Sequence, residues 1–119
     1  MSIERIGLTE RWCDAAIFNG IVFLAGHVAE KTEGETLTRQ TEEVLALLEE
    51  TLEAAGSAKD RILSVQIFLT DIARIAEMNA VWDKWVARGS APARATVEAK
   101  LASPGYAIEI TAVAAKKVL

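Results

Sequence analysis

The order of patterned segments in this sequence predicts an α+β or α/β sandwich, in which one sheet is covered on one face by two helices. Three observations carry that expectation. An Asn-Gly pair sits between two apolar runs near the N-terminus. Two segments carry apolar residues at helical spacing, and a branched, strand-like run separates them. Two further alternating segments close the chain.

The elements follow in order. In "AAIFNGIVFLAG", Asn19-Gly20 suits a type I′ turn, which requires φ > 0 at both central residues, so a hairpin is predicted. A further strand is expected before it, and Gly26 is expected to end the second arm where backbone comes close to something. From Leu37 to Ala55, apolar residues at 37, 44, 45, 48, 52 and 55 form one helical stripe, and Gly56-Ser57 stops it. "RILSVQIFL" (61–69) reads as a buried strand. Thr70-Asp71 offers a cap for a second helix carrying Ile72, Ile75, Met78, Trp82, Trp85 and Val86, closed by Arg88-Gly89. Trp82 and Trp85 read as packing residues. The last strand, "AIEITAVAA", puts Ile108, Ile110 and Ala112 on one face and Ala107, Glu109, Thr111 and Val113 on the other.

Two helices cover one face of a sheet, yet several strands are apolar on both faces. The uncovered face is an exposed apolar patch unless another subunit hides it, so a homo-oligomer is expected. The 119 residues fit a single domain spanning 1–119. A net charge of -4 and a pI near 5.0 supply no basic field for nucleic acid. Cys13 is the lone cysteine, which excludes an intrachain disulfide and fits a reducing compartment. "MSIERIGLTERW" lacks the apolar run of a signal peptide, and "IVFLAG" is far short of the ~20 residues that span a bilayer. A soluble, cytoplasmic protein without membrane partners is the expectation.

No histidine or cysteine pair has metal-ligand spacing, and no nucleophile elbow or phosphate loop is present. That leaves carboxylates, an arginine and water as the candidate chemistry. In "APARATVEAK", Arg94, Thr96 and Glu98 share one strand face. Arg94 reads either as a strand-end cation that snorkels or pairs with an acid, or as a bidentate clamp for a small carboxylate. Glu109, on a strand expected to be the hairpin partner of Arg94's, reads as a structural ion pair or as a base for a water. Thr96 can hydrogen-bond a ligand beside Arg94. Asn79 is mid-helix, a poor place for asparagine, and is either surface or a tether. Trp12 either walls a pocket or packs in the core, and His27 reads as a satisfied or exposed ring.

Taken in order, "NGIVFLAG", "TLEAAGSAKDRILSVQIFLTDI", "EMNAVWDKWV" and "APARATVEAKLASPGYAIEITAVAA" resemble the RidA/YjgF family of reactive-intermediate deaminases along nearly the full chain. The combination of Met78-Asn79, Pro92-Ala93-Arg94 and the strand bearing Glu109 is the specific part. The resemblance implies a chorismate-mutase-like fold, assembled as a homotrimer with sheets inward and clefts between subunits. It implies that Arg94 holds the carboxylate of a 2-imino acid, that Glu109 places the attacking water, and that Asn79 and Trp12 line the pocket. Two positions depart from the archetype: "RWCDAA" replaces a Gly-Pro-Tyr segment, and Thr96 stands where cysteine is frequent. "RWCD" with "NAVWDKW" looks more like the YoaB-like branch.

The implied function is hydrolysis of small 2-imino or enamine acids to 2-oxo acids and ammonia, without metal or organic cofactor. The rival is a non-catalytic module that binds small carboxylates such as 2-oxo acids in the same cleft. Trp12 keeps the rival open, and Glu109 argues against it, because a carboxylate receptor gains nothing from a nearby anion.

Overall fold

The computed structural model describes residues 2–118. Six strands and two helices follow one another as β1 (Glu4–Ile6), β2 (Ala15–Phe18), β3 (Ile21–Val28), α1 (Leu37–Ala54), β4 (Ile62–Leu69), α2 (Ile75–Trp85), β5 (Ala93–Glu98) and β6 (Ile108–Ala115). The strands form one mixed sheet in the order β1-β2-β3-β6-β4-β5.

The turn chemistry behaves as read. Asn19 and Gly20 adopt φ of 52° and 76°, and β2 pairs antiparallel with β3 around them. The second arm does not end at Gly26, however: β3 runs on to Val28, with a register shift between Leu24 and His27. The Thr36 hydroxyl accepts from the Arg39 N–H at 3.2 Å to cap α1, and Gly56 (φ 81°) lets the chain leave it. Asp71 caps a single 3-10 turn, Ile72–Arg74, that leads into α2.

β5 and β6 are not hairpin partners. The chain crosses through α2, and β5 returns parallel to β4 on the sheet's outer edge. β6 then inserts antiparallel between β3 and β4, so both its edges are paired. The reason is its composition. β6 alternates buried Ile108, Ile110, Ala112 and Ala114 with half-buried residues, whereas β5 is largely exposed and suits an edge.

Both helices pack on one face of the sheet. Val44, Leu45, Leu48 and Leu52 of α1 and Met78 and Trp82 of α2 close over Val22, Leu24, Val65, Ile67, Ile108 and Ile110. Trp82 and Trp85 meet with ring centroids 5.5 Å apart, as packing residues do. The opposite face carries Phe18, Phe23, Leu63 and Val97, each at least 40% exposed. No helix among the described residues is long and apolar enough to cross a membrane.

Two polar residues of α1 fasten the loops at one end of the sheet. The buried Gln40 amide donates to Glu35 O (3.0 Å) and Gly105 O (2.9 Å), and its oxygen accepts from the Ala107 N–H at 2.8 Å. Glu43 accepts from the Thr32 hydroxyl (2.7 Å) and from the Lys31 and Thr32 N–H groups (3.1 and 2.8 Å). Burial, the largest single influence, pushes the Glu43 carboxyl up; those three bonds and the Lys31 charge together outweigh it and hold its pKa below the usual carboxylate range. A depressed carboxyl contributes stability that is present above the unfolded-state pKa and is lost as pH falls through the folded value. Glu43→Gln is therefore expected to lower Tm at neutral pH by a few degrees at most, because solvent screens part of the carboxylate's advantage. Melting curves at neutral and acid pH check it: the gap from wild type closes as pH drops below about 4.

Candidate functional site

Residues aligned across a ladder point to the same face. Arg94 lies beside Val65 and Thr96 beside Ile67, both buried under the helices. Arg94 and Thr96 therefore face the helix layer, at its open edge, where α2 comes down. Arg94 Nη1 donates to Asn79 Oδ1 at 2.9 Å, and its Cζ sits 5.4 Å from the centroid of the Trp82 ring. Asn79 and Trp82 are one turn apart on α2, so a single helix face presents both an acceptor and a π-surface to the guanidinium.

The ion pairs among the described residues are Arg39–Glu35 and Arg74–Glu77; Arg94 is in neither. Glu98, on Arg94's own face, instead accepts from the Ile72 N–H at 3.1 Å. The pairing of Arg94 with an acid is thus not what holds it. Two residues along, the Thr96 hydroxyl oxygen is buried without a hydrogen-bond partner among the described residues. An unmet buried hydroxyl costs about 1–3 kcal/mol, so this face carries an unfilled bonding capacity next to a cation.

Glu109 lies on the other face. It stands beside Val28 on one side and Phe68 on the other, and is half-buried. Its carboxylate rests against Gly26, where any Cβ would overlap a carboxylate oxygen. The close approach expected at Gly26 is therefore an approach to Glu109. The offset from Arg94 is two strand spacings of about 4.8 Å and three residues of about 3.3 Å, roughly 14 Å between Cα positions, with the sheet between the side chains. One chain cannot bring the two groups onto one small ligand.

Trp12 is not a core residue. It is 56% exposed, in a turn where the Thr9 hydroxyl accepts from its N–H at 3.0 Å. With Gly26, His27 and Tyr106, and with Leu47 and Thr51 of α1, it borders an open cleft of about 730 Å³. Arg94, Thr96 and Asn79 thus lie together, Glu109 lies apart from them against Gly26, and Trp12 borders a cleft that reaches the same Gly26.

Three residues were not singled out by sequence for what they do here. Trp82 is 5% exposed, as packing predicts, but also turns a face to Arg94. Tyr106, the sole tyrosine, borders the Trp12 cleft; burial first, then the charges of Glu33, Glu30 and Glu43, push its phenol up. His27 is a satisfied ring, as expected, and its partners, Ala25 O and the Thr51 hydroxyl, set it between β3 and α1.

A mixed sheet with two helices on one face and open clefts at its margins matches the fold of the YjgF-type proteins, and comparison with known proteins agrees. The family model described as Endoribonuclease L-PSP matches residues 2–116. A RutC family protein of Haemophilus influenzae is 44% identical over 114 residues, 96% of this chain and 98% of that protein. The RutC family protein YoaB of Escherichia coli is 43% identical over 115 residues, 97% and 99% of the two chains. The crystal structure of NMB1025, a YjgF family member from Neisseria meningitidis, superposes with a TM-score of 0.96 at 44% identity, covering 100% of this chain and 98% of that one. The chain belongs to the RidA/YjgF family, on its YoaB-like side.

Proposed function

We propose that this protein hydrolyses small 2-imino and enamine acids to 2-oxo acids and ammonia, in clefts between the subunits of a homotrimer. The observation that carries the reading is the state of Arg94: a guanidinium held by a neutral amide oxygen and an aromatic face, with no carboxylate among the described residues paired to it. Its remaining N–H groups are free to grip a carboxylate in the bidentate manner that suits them.

In this reading Arg94 fixes the substrate carboxylate and with it the adjacent C=N carbon, while Thr96 and Asn79 border the bound acid. Glu109, from the neighbouring subunit, accepts a proton as water adds to that carbon. Glu109 then returns the proton to nitrogen, takes the proton of the new hydroxyl and passes it to the same nitrogen as the C–N bond of the tetrahedral adduct breaks, so that C=O forms and ammonia leaves. No oxidation state changes in either step, and Arg94, Glu109 and water suffice.

The uncovered apolar face supports self-association, and a closed ring of three copies is the assembly this reading takes. Burying Phe18, Phe23, Leu63 and Val97 against other copies removes the apolar patch and brings the two half-sites from different chains together. Phe23→Asp is expected to shift sedimentation from trimer to smaller species with the secondary structure retained; an unchanged trimer contradicts that packing. Gly26→Ala is expected to leave the fold intact, because the overlapping atoms are the far end of a side chain, but to displace the carboxylate. A displacement near 1 Å lowers kcat roughly 10- to 100-fold, read by imine hydrolysis beside an unchanged melting curve.

A second reading, a non-catalytic receptor for small carboxylates, is favoured by one fact: the Arg94, Thr96 and Asn79 half is complete without Glu109. Calorimetry with 2-oxobutanoate on a protein that shows no imine turnover would establish it. The word endoribonuclease in the family description suggests a third. A net charge of -4, with its sole histidine hydrogen-bonded at both ring nitrogens, gives RNA little to bind or react with. RNA cleavage that survives repurification and is lost in Arg94→Ala would reinstate it.

A further inference from the structure

We propose that His27 is a positioning residue for Glu109, acting through the bulge of β3. The proposal rests on the reading of Glu109 as the group that orients the attacking water. Between Leu24, which pairs with Ala112, and His27, which pairs with Ile110, the two residues Ala25 and Gly26 stand opposite Thr111 alone. That extra residue turns the His27 ring to the helix face and leaves bare Gly26 under the Glu109 carboxylate.

A bulge interrupts the ladder, so the floor beneath the carboxylate is only as fixed as the bonds that replace it. Ala25 is held at both polar groups. Its N–H donates to Asp14 O at 2.9 Å, and its carbonyl accepts from His27 Nδ1 at 2.7 Å. A carbonyl only accepts, so Nδ1 carries the proton. The other ring nitrogen, Nε2, is hydrogen-bonded to the Thr51 hydroxyl of α1 at 2.8 Å, and that hydroxyl also lies 3.1 Å from Leu47 O. On the flanking strand the Thr111 hydroxyl donates to Leu24 O at 2.6 Å.

The ring therefore spans from α1 to the bulge and fixes the Ala25–Gly26 peptide from the side opposite Glu109. It borders the Trp12 cleft, but both nitrogens are committed to the scaffold. Its role is to hold the water-orienting group in place and not to exchange protons with substrate.

The test uses His27→Ala, His27→Asn and Thr51→Val in the full-length protein, with imine kinetics, melting curves and crystal structures of each. His27→Asn matters because its amide N–H lies where Nδ1–H does and can restore the bond to Ala25 O. His27→Ala is expected to lower kcat about 10- to 100-fold with KM within twofold, since Arg94 is untouched, and to displace the Glu109 carboxylate from Gly26. His27→Asn is expected to restore both kcat and the carboxylate position, and Thr51→Val to fall between. Equal loss in the Ala and Asn variants, or unchanged kcat with the carboxylate in place in His27→Ala, overturns the proposal. If wild type hydrolyses no imine, the functional reading fails, and the carboxylate position across the three crystal structures still decides whether His27 sets it.

Discussion

Arg94→Ala is expected to lower kcat/KM for 2-iminopropanoate and 2-iminobutanoate at least about 100-fold while the oligomeric state stays that of wild type. One charge-assisted bond to a carboxylate is worth about 1.5–3 kcal/mol net, roughly 10- to 150-fold. Losing the clamp also frees the C=N carbon from its place before the water, which adds to the loss. Stability changes little, because Arg94 is exposed and pairs with no acid among the described residues whose charge its removal would strand. Lysine does not rescue: it lacks the planar fork that serves the carboxylate and Asn79 at once. Imines generated in situ by an amino-acid oxidase, with semicarbazide trapping the remainder, give the rate. Retention of wild-type turnover by Arg94→Ala would remove the anchor from the mechanism.

Glu109→Gln carries the second large effect, on kcat. The glutamine keeps the shape that lies against Gly26 but cannot take a proton from water, and general-base assistance is typically worth about 10²–10⁴-fold. KM is expected to stay near wild type, since the carboxylate anchor belongs to Arg94. The contrast between the two variants, kcat/KM lost through binding in one and kcat alone in the other, separates catalysis from a receptor role.

Much of the fold is legible in the residues. Asn19-Gly20 names its turn, the 37–55 stripe names α1, and the Ile108, Ile110, Ala112 alternation names the buried side of β6. The position of β5 is not legible that way. Alternation says that Arg94, Thr96 and Glu98 share a face; it does not say whether that face meets helices or the bare side, and only the parallel register beside Val65 and Ile67 decides it. Chain adjacency made β5 and β6 look like a hairpin, but the crossover through α2 places β5 outside β4. The candidate site suffers the same limit. Its residue types are readable, while its division between opposite faces, and the bulge linking His27 to Glu109's floor, depend on strand order and register.

The central claim is that Arg94 and Glu109 meet only across a subunit boundary. It is tested most directly by refolding or co-expressing Arg94→Ala with Glu109→Gln and assaying imine hydrolysis by the mixed assembly. If each cleft takes Arg94 from one chain and Glu109 from the next, random assortment in a closed ring restores an intact pair in about a quarter of the clefts. Activity near a quarter of wild type, from two parents that are each nearly inactive, is the result expected. A mixture no more active than its parents, in trimers shown to contain both variants, would contradict a site built from two chains.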